Sequence, residues 1–442
     1  MKIVIRNQII DSINKKLPKL VERKIEVPDI PNKTYSVIGM RRTGKTYFLY
    51  QKLLECLKQG IDRSRLVYLN FEDERLIDLT VADMHWIVDE YYALYPENRR
   101  DQVYFFLDEI QMIPQWEKFV RRIMDSENAK IFISGSSAKM LSREIATSMR
   151  GRSIETIVYP FSFIEFLSCH NIDPPQSLVQ IDKHYRSLLE NQCNRYLSIG
   201  GFPEAQKIRD QDRQLLLQSY VNTVIFRDIV ERYGITNIIV LKQLIKHLIR
   251  NFGAQFSVNK FFNYLKSNGI KVSKTTLHEY MSYIQDTFLI QNISIYAQSE
   301  KQRMVNPIKS YVIDMGLADS FLMSRESNIG HHLENCVFIE LCRRNTRVSY
   351  FRSKSGYEVD FIVTYSDKTM DAIQVSADIR TKQTFERECR SLYEVKSMIK
   401  NIRLILITMS DEKEIKYKDN TIYVVPAWKW LLNLCEMEDA VR

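Results

Sequence analysis

Eight consecutive residues, Gly39-Met40-Arg41-Arg42-Thr43-Gly44-Lys45-Thr46, restrict this 442-residue chain more than any other feature. They read G-x-x-x-x-G-K-T. Before them lies a β-branched and aromatic run, Thr34–Ile38, and after Lys45 the apolar residues recur at helical spacing. A strand, a glycine-bounded turn and a helix start, in that order, make a phosphate cradle. Glycines let backbone N–H groups close around the oxygens, and the helix N-terminus adds partial positive charge. All eight residues are expected to line the cradle, with Lys45 reaching the β- and γ-phosphates and the Thr46 hydroxyl ligating Mg2+. The implied ligands are ATP and Mg2+.

A second part stands downstream. Val103–Leu107 is a continuous apolar run, as in a parallel strand buried on both faces, and it ends in Asp108-Glu109. The carboxyl end of such a strand is where an α/β sheet places ligands. Asp108 is expected to hold Mg2+ and Glu109 to orient the attacking water. A third strand, Lys130–Ser134, runs into Gly135-Ser136-Ser137. Ser134 and Ser136 are candidate sensors of the γ-phosphate, with an ordinary Ser/Gly turn as the competing reading. A helix-like stretch from Ala138 to Met149 leads to Arg150-Gly151-Arg152 and a strand at Ile154–Val158. Arg152 is a candidate clamp for transition-state charge, or one basic turn among many. The strand Leu66–Asp73 also ends in acids; Glu72 is the nearest to the site, and a solvated strand-end acid reads equally well.

Hydrophobic residues at 45% and charged residues at 26% exclude a wholly disordered or collagen-like chain, and the length suggests about three domains. The seven cysteines are scattered without a C-x-x-C pair, so neither a disulfide framework nor a structural zinc is indicated, and a reducing cytoplasmic setting is expected. Charges interrupt the N-terminal apolar residues too often for a signal peptide, and no apolar run of about 18 residues points to a membrane. The His331-His332 pair lacks partners at metal-ligand spacing and reads as structural or surface residues.

The net charge is +9, and its placement is uneven. No acidic residue falls between Glu231 and Glu279, a gap that holds Arg232, Lys242, Lys246, Arg250, Lys260, Lys266, Lys271 and Lys274. Residues 166 to about 235 favour helices, punctuated by Asp173-Pro174-Pro175 and by Gly200-Gly201-Phe202-Pro203. An amphipathic helix from Leu241 closes at Gly253. The next starts at Ser257 and ends at Gly269, and Ser273-Lys274-Thr275-Thr276 caps a third. With the β-prone run after Phe288, this reads as a winged helix-turn-helix. If it meets DNA, Lys274, Thr275, Thr276 and His278 stand at the start of the reading helix. The competing reading is a lid and packing module with a solvated basic face.

From His331 a helix carrying Glu334 precedes several strand-like runs. The layout resembles the restriction-endonuclease fold, which places one acid on a helix, an aspartate on the second strand and Glu-x-Lys on the third. Glu334 and Asp360 match the two acids, with Glu358 nearby, whereas Gln374-Val375-Ser376 replaces Glu-x-Lys. Neutral glutamine holds a divalent cation less well than a carboxylate, and serine lacks the lysine charge. Lys354 and Lys382 are candidates for a migrated lysine, though neither has the motif spacing. An inactive nuclease-like scaffold is expected.

GMRRTGKT, FFLDEIQ followed by Trp116, ISGSS and MRGRSIETIVYPFSFIEFL together resemble prokaryotic AAA-type P-loop ATP-binding proteins of the archaeal-ATPase-related group. The resemblance runs from about Lys33 to about Thr408 and includes a C-terminal domain of unknown function. It implies that Arg152 is an arginine finger acting across a subunit interface, and hence a homo-oligomer. The expected fold is α/β: a parallel-sheet AAA-type domain over 1–165, a helical lid over 166–235, a winged helix over 236–300 and an endonuclease-like domain over 301–442. The expected activity is ATP binding and slow Mg2+-dependent hydrolysis coupled to domain rearrangement. It would serve a regulatory switch with a protein partner or a DNA-associated process; an ATP-gated nuclease is the alternative.

Overall fold

A computed structural model describes residues 1–135, 149, 151–297, 299–322 and 329–435. Ser136, Arg150 and the stretch Ala138–Ser148 lie outside them. The chain forms two compact units, Met1–Tyr159 with Asp286–Phe288, and Pro160–Gln285 with Leu289–Arg442.

The first unit is built on five parallel strands: β1 (Thr34–Ile38), β2 (Leu66–Asn70), β3 (Val103–Asp108), β4 (Ala129–Gly135) and β5 (Ser153–Ile157). Their order is β2-β3-β4-β1-β5. Parallel strands need crossovers that cover the sheet faces, which is why β3 reads as a nearly unbroken apolar run up to Asp108 and all five residues of β1 are buried. Helices α1 (Lys2–Asn14), α2 (Lys45–Lys58), α3 (His85–Leu94) and α4 (Trp116–Ser126) supply much of that cover. α2 buries Phe48, Leu49 and Leu53 in a core with Tyr35, Val37, Phe106 and Phe132. Phe132 stacks between Tyr35 and Phe106, with ring centroids at 5.0 and 5.1 Å. Each such buried side chain contributes roughly 1.5–3 kcal/mol of burial energy. The consequence for chemistry is topological. β4 lies between β1 and β3, so the carboxyl ends of all three open on one edge of the sheet. Gly39, Asp108 and Ser134 are thereby gathered from distant parts of the chain.

In the second unit, helices Phe163–Cys169, Lys183–Ile199 and Asp210–Thr223 lead into a π-helical turn, Val224–Glu231. Helices Ile238–Arg250, Val258–Ser267 and Lys274–Asp286 follow. The N-caps form as the sequence suggests: Ser257 Oγ accepts the Lys260 N–H, and Ser273 Oγ accepts that of Thr276. Strands β6 (Gln255–Phe256), β7 (Ile290–Ile293) and β8 (Ile308–Val312) make a small antiparallel sheet in the order β6-β8-β7. Strands β9 (Arg347–Arg352), β10 (Glu358–Thr364), β11 (Met370–Val375), β12 (Arg403–Thr408), β13 (Lys413–Tyr417) and β14 (Asn420–Pro426) make a mixed sheet in the order β13-β14-β12-β11-β10-β9. Helices Ile329–Arg343 and Lys382–Met398 pack on it. The two sheets are joined by backbone hydrogen bonds, Tyr296 N to Tyr350 O at 2.6 Å and Tyr350 N to Ser294 O at 3.1 Å.

The Gly200-Gly201 turn is explained by close packing. A Cβ on Gly201 would come 2.3 Å from the Phe161 carbonyl oxygen, and the Gly201 N–H donates to Asp314 Oδ2 at 2.6 Å. All seven cysteines are free thiols. Among the described residues no helix is long and apolar enough to cross a membrane.

Candidate functional site

The loop between β1 and α2 folds as its glycines require. Gly39 has φ +146°, and a Cβ there would meet the Val158 carbonyl oxygen at 2.4 Å, so no side chain fits. Gly44, at φ 98°, turns the chain into the first residue of α2. Thr43 is fully buried and its hydroxyl donates to the Met40 carbonyl at 2.9 Å, bracing the loop from within. Lys45 is also buried. Its ammonium donates to the Gly39 and Met40 carbonyls at 3.2 and 3.1 Å and stands 4.0 Å from Glu109 Oε1. Arg41 Nη1 pairs with Glu72 Oε1 at 3.3 Å, and Arg42 holds a left-handed φ of 68°. Glu72 therefore meets the loop through Arg41, two residues beyond the end of β2.

Opposite the loop, Asp108 ends β3 and is 1% exposed. Thr46 Oγ1 donates to its Oδ2 at 2.8 Å, Tyr68 Oη donates to the same oxygen at 2.7 Å, and Ser134 Oγ donates to Oδ1. Burial pushes the Asp108 carboxyl above the usual aspartate range, while these hydrogen bonds pull it back. Burial, with Asp108 beside it, also pushes the Tyr68 phenol far up, so it stays protonated and donates. Glu109 follows in the left-handed region at φ 52°, where a non-glycine residue is strained; its N–H donates to Ser134 Oγ at 3.0 Å and its carboxylate accepts from Gln111 Nε2.

The donor set at this edge suits Mg2+. A hydroxyl and a buried carboxylate are hard oxygen ligands, and Mg2+ in such sites takes only one or two protein groups, with phosphates and water supplying the rest. Among the described residues no group of three or more His, Cys, Asp or Glu side chains is arranged to hold a metal by itself. Thr46 and Asp108 are the residues that would hold the ion.

Arg152 lies elsewhere. It precedes β5, at the amino end of the sheet, where its backbone oxygen accepts from Thr34 N and its Nη1 pairs with Asp125 Oδ1 at 2.5 Å. The five residues of β5 separate it from the loop edge, roughly 16 Å of strand. Its guanidinium thus faces away from the phosphate loop of its own chain. Ser136 falls outside the described residues. Ser134 is at the edge, with its hydroxyl hydrogen given to Asp108.

Two contributors carry no motif. Arg23, buried in the irregular segment before β1, donates from Nη1 to the Thr43 carbonyl at 2.8 Å and from Nη2 to the Tyr159 carbonyl at 2.5 Å. Its backbone N–H donates to Gln51 Oε1 at 2.7 Å, while the Gln51 amide donates to the Arg23 carbonyl. The segment is thereby stapled to both the loop and α2. Tyr68 is the other. Its alternation in β2 aims it at Asp108, which only the strand pairing reveals.

In the second unit Glu334 and Asp360 do meet, together with Glu358, but around a lysine that the sequence did not single out. The Lys309 ammonium is 3.1 Å from Glu334 Oε1, 2.8 Å from Glu358 Oε1 and 3.0 Å from Asp360 Oδ1. Lys354 and Lys382 are exposed. Burial by itself opposes the charge on Lys309, yet the fields of Asp360, Tyr311, Glu334 and Glu358 carry it well above the ordinary lysine range. Gln374 is spent locally: its Oε1 accepts from Asp360 N at 3.3 Å and its Nε2 donates to Glu388 Oε2 at 2.8 Å. His332 is buried against Asp319 at 2.8 Å and stacks on Phe252, a structural histidine.

Along the acid-free segment, Lys242, Lys246, Arg250, Lys260, Lys266, Lys271 and Lys274 are all exposed. In the helix beginning at Lys274, Thr275 is exposed and Thr276 half-buried, while Leu277, Tyr280, Met281 and Ile284 face inward.

Comparison with known proteins gives an AAA domain over residues 31–167 and two domains of unknown function, DUF8612 over 190–328 and DUF4143 over 329–430. Uncharacterized protein MJ1544 of Methanocaldococcus jannaschii is 37% identical, the match covering 98% of this chain and 96% of that one. An uncharacterized protein of Haemophilus influenzae is 31% identical, with 90% and 93% covered. Among solved structures, the Orc1 protein of Aeropyrum pernix in complex with DNA overlaps with a TM-score of 0.29 at 10% identity, over 72% of this chain and 90% of that one. Cdc6p of Pyrobaculum aerophilum overlaps at 0.25 with 16% identity, over 66% and 86%. No shared role is drawn from overlaps this loose. The two nearly full-length relatives carry the assignment: this chain is an AAA-domain protein and belongs to the family of these uncharacterized M. jannaschii and H. influenzae proteins.

Proposed function

We propose that this protein binds ATP with Mg2+ and hydrolyses it slowly at the carboxyl edge of its parallel sheet, using the binding cycle as a conformational switch. The observation that carries the reading is the convergence of Lys45, Thr46, Asp108 and Glu109 at one edge, with Thr46 hydrogen-bonded to Asp108 at 2.8 Å and Lys45 4.0 Å from Glu109. Gly39 to Thr46 wrap the phosphates, and Lys45 exchanges the carbonyls it now holds for phosphate oxygens. Thr46 and Asp108 hold Mg2+, which when bound offsets phosphate charge. Glu109 positions the attacking water and accepts its proton. Ser134 links the two acids: its oxygen accepts the Glu109 N–H while its hydrogen goes to Asp108, so a change at the γ-phosphate reaches both. Ser136 is a further candidate sensor. Arg152, turned from its own loop, would serve a neighbouring copy in a homo-oligomer.

The switch acts through a protein partner or in a DNA-associated process. The exposed basic residues and the capped helix starting at Lys274 favour the second, with Lys274, Thr275 and Thr276 of a winged helix meeting the duplex. Steady-state ATP hydrolysis with and without duplex DNA tests both levels. Lys45→Ala and Glu109→Gln should each reduce turnover about a hundredfold or more. Stimulation by DNA that fades as salt rises supports the DNA-associated role. Turnover indifferent to DNA points to a protein trigger, and turnover equal to that of both variants would sink the ATPase reading.

A further inference from the structure

The three carboxylates of the C-terminal acid cluster come from two elements, Glu334 from helix Ile329–Arg343 and Glu358 and Asp360 from β10. Lys309 comes from a third, β8 of the small sheet, and is 3% exposed. An ammonium has three protons to donate, and here it meets three carboxylates, each between 2.8 and 3.1 Å away. Each carboxylate also takes a second donor, at the same oxygen in Glu334 and at the other oxygen in Glu358 and Asp360. Tyr311 Oη, from the same strand as Lys309, donates to Glu334 Oε1 at 2.8 Å. Gln255 Nε2, from β6, donates to Glu358 Oε2 at 2.7 Å, and Val375 N donates to Asp360 Oδ2 at 3.0 Å. Two strands of the small sheet, β6 and β8, thus plug acids carried by the helix Ile329–Arg343 and by β10 of the mixed sheet.

Three carboxylates this close, with Glu334 and Asp360 buried and Glu358 half-buried, repel one another strongly and need a cation among them. A divalent ion would need the same oxygens at 2.0–2.6 Å. The ammonium and the ion compete for one space. We infer that Lys309 is the resident cation of this cluster: its ammonium stands where a divalent ion would sit between Glu334, Glu358 and Asp360, closing the site to metal and pinning the small sheet to the mixed sheet. The nuclease-shaped arrangement is, on this assignment, an internal ionic lock.

Equilibrium dialysis of the full-length, nucleotide-free protein against Mn2+ tests the lock. Wild type and Asp360→Asn should bind the same amount. Lys309→Ala should gain about one Mn2+ per chain, the number a single cluster of three carboxylates holds, and Lys309→Ala with Asp360→Asn should lose that gain. Mn2+ bound by wild type and lost in Asp360→Asn would overturn the assignment, as would a folded Lys309→Ala protein that gains none. Should Lys309→Ala fail to fold, adding Asp360→Asn and Glu358→Gln should restore folded protein, because unbalanced charge is then the fault. Continued failure of that triple variant overturns the lock as well.

Discussion

Thr46 and Asp108, 62 positions apart, are joined by a hydrogen bond of 2.8 Å from the threonine hydroxyl to Asp108 Oδ2. The bond joins the first turn of the helix that follows the phosphate loop to the end of β3, two strands away from β1 in the sheet. On the proposed function these two oxygens would hold one Mg2+. The bond also shares its acceptor with Tyr68, so the order of this edge rests on a donor that lies outside every motif.

Tyr68→Phe removes that donor while keeping the ring. Asp108 then loses one of its side-chain donors in a nearly solvent-free site, a cost of about 1–3 kcal/mol. Urea unfolding should show the loss, and hydrolysis should fall more than ATP affinity does. Unchanged stability would mean that Thr46 and Ser134 suffice to hold the carboxylate.

Arg23 is expected to act as a positioning residue for the loop. Arg23→Ala frees the Thr43 and Tyr159 carbonyls and should cost about 1–3 kcal/mol. If the clamp presets the loop, titration with a fluorescent ATP analogue should give weaker binding, by about tenfold for each 1.4 kcal/mol of lost preorganisation. Arg23→Lys, which cannot reach both carbonyls with a planar fork, should recover little.

Two glycines separate site from scaffold. Gly39→Ala puts a methyl group 2.4 Å from the Val158 carbonyl oxygen and should abolish nucleotide binding. Gly201→Ala puts one 2.3 Å from the Phe161 oxygen, a clash worth about 1–3 kcal/mol of overpacking. In the Gly201 variant, thermal unfolding should shift down while nucleotide affinity is kept. Equal effects of both substitutions on affinity would contradict the division.

The half-buried histidines should lower stability in acid, against the opposite contribution of Asp314, whose carboxyl burial raises to about 6. Burial lowers the pKa of His170 and His247, so the folded state favours their neutral forms. As pH falls through about 6.5 the unfolded chain takes up protons first, and stability declines; above that range the contribution is fully present. His247 stands beside Phe261 and Phe256, with centroids at 5.0 and 5.8 Å. His247→Phe should therefore flatten the decline between pH 7 and pH 5 in denaturant titrations. An unaltered slope would place the pH sensitivity elsewhere.

Much of the nucleotide edge was legible because its signals are local. Gly39 to Thr46 and Asp108-Glu109 are short patterns whose strand and helix contexts lie in adjacent residues, and β1 spans the predicted Thr34–Ile38. The charge gap and the caps at Ser257 and Ser273 are local in the same sense. Strand ends moved by one to three residues: β2 stops at Asn70, three short of the expected Asp73, and Glu72 meets the loop through Arg41.

What the sequence determined by itself was the set of chemical parts: a phosphate loop, an acid pair, a basic helical segment and the C-terminal acids Glu334, Glu358 and Asp360. Tertiary structure alone decided which parts meet. Sheet order put Ser134 and Tyr68 on Asp108 and set Arg152 at the opposite edge. A lysine in the buried strand Ile308–Val312 makes no sense from its neighbours in sequence, and it acquires one only when Glu334, 25 positions on, and Asp360, 51 positions on, close around it. The physical reason is that motif chemistry is written in adjacent residues, whereas the balance of a buried charge depends on whatever the fold brings within about 3 Å of it.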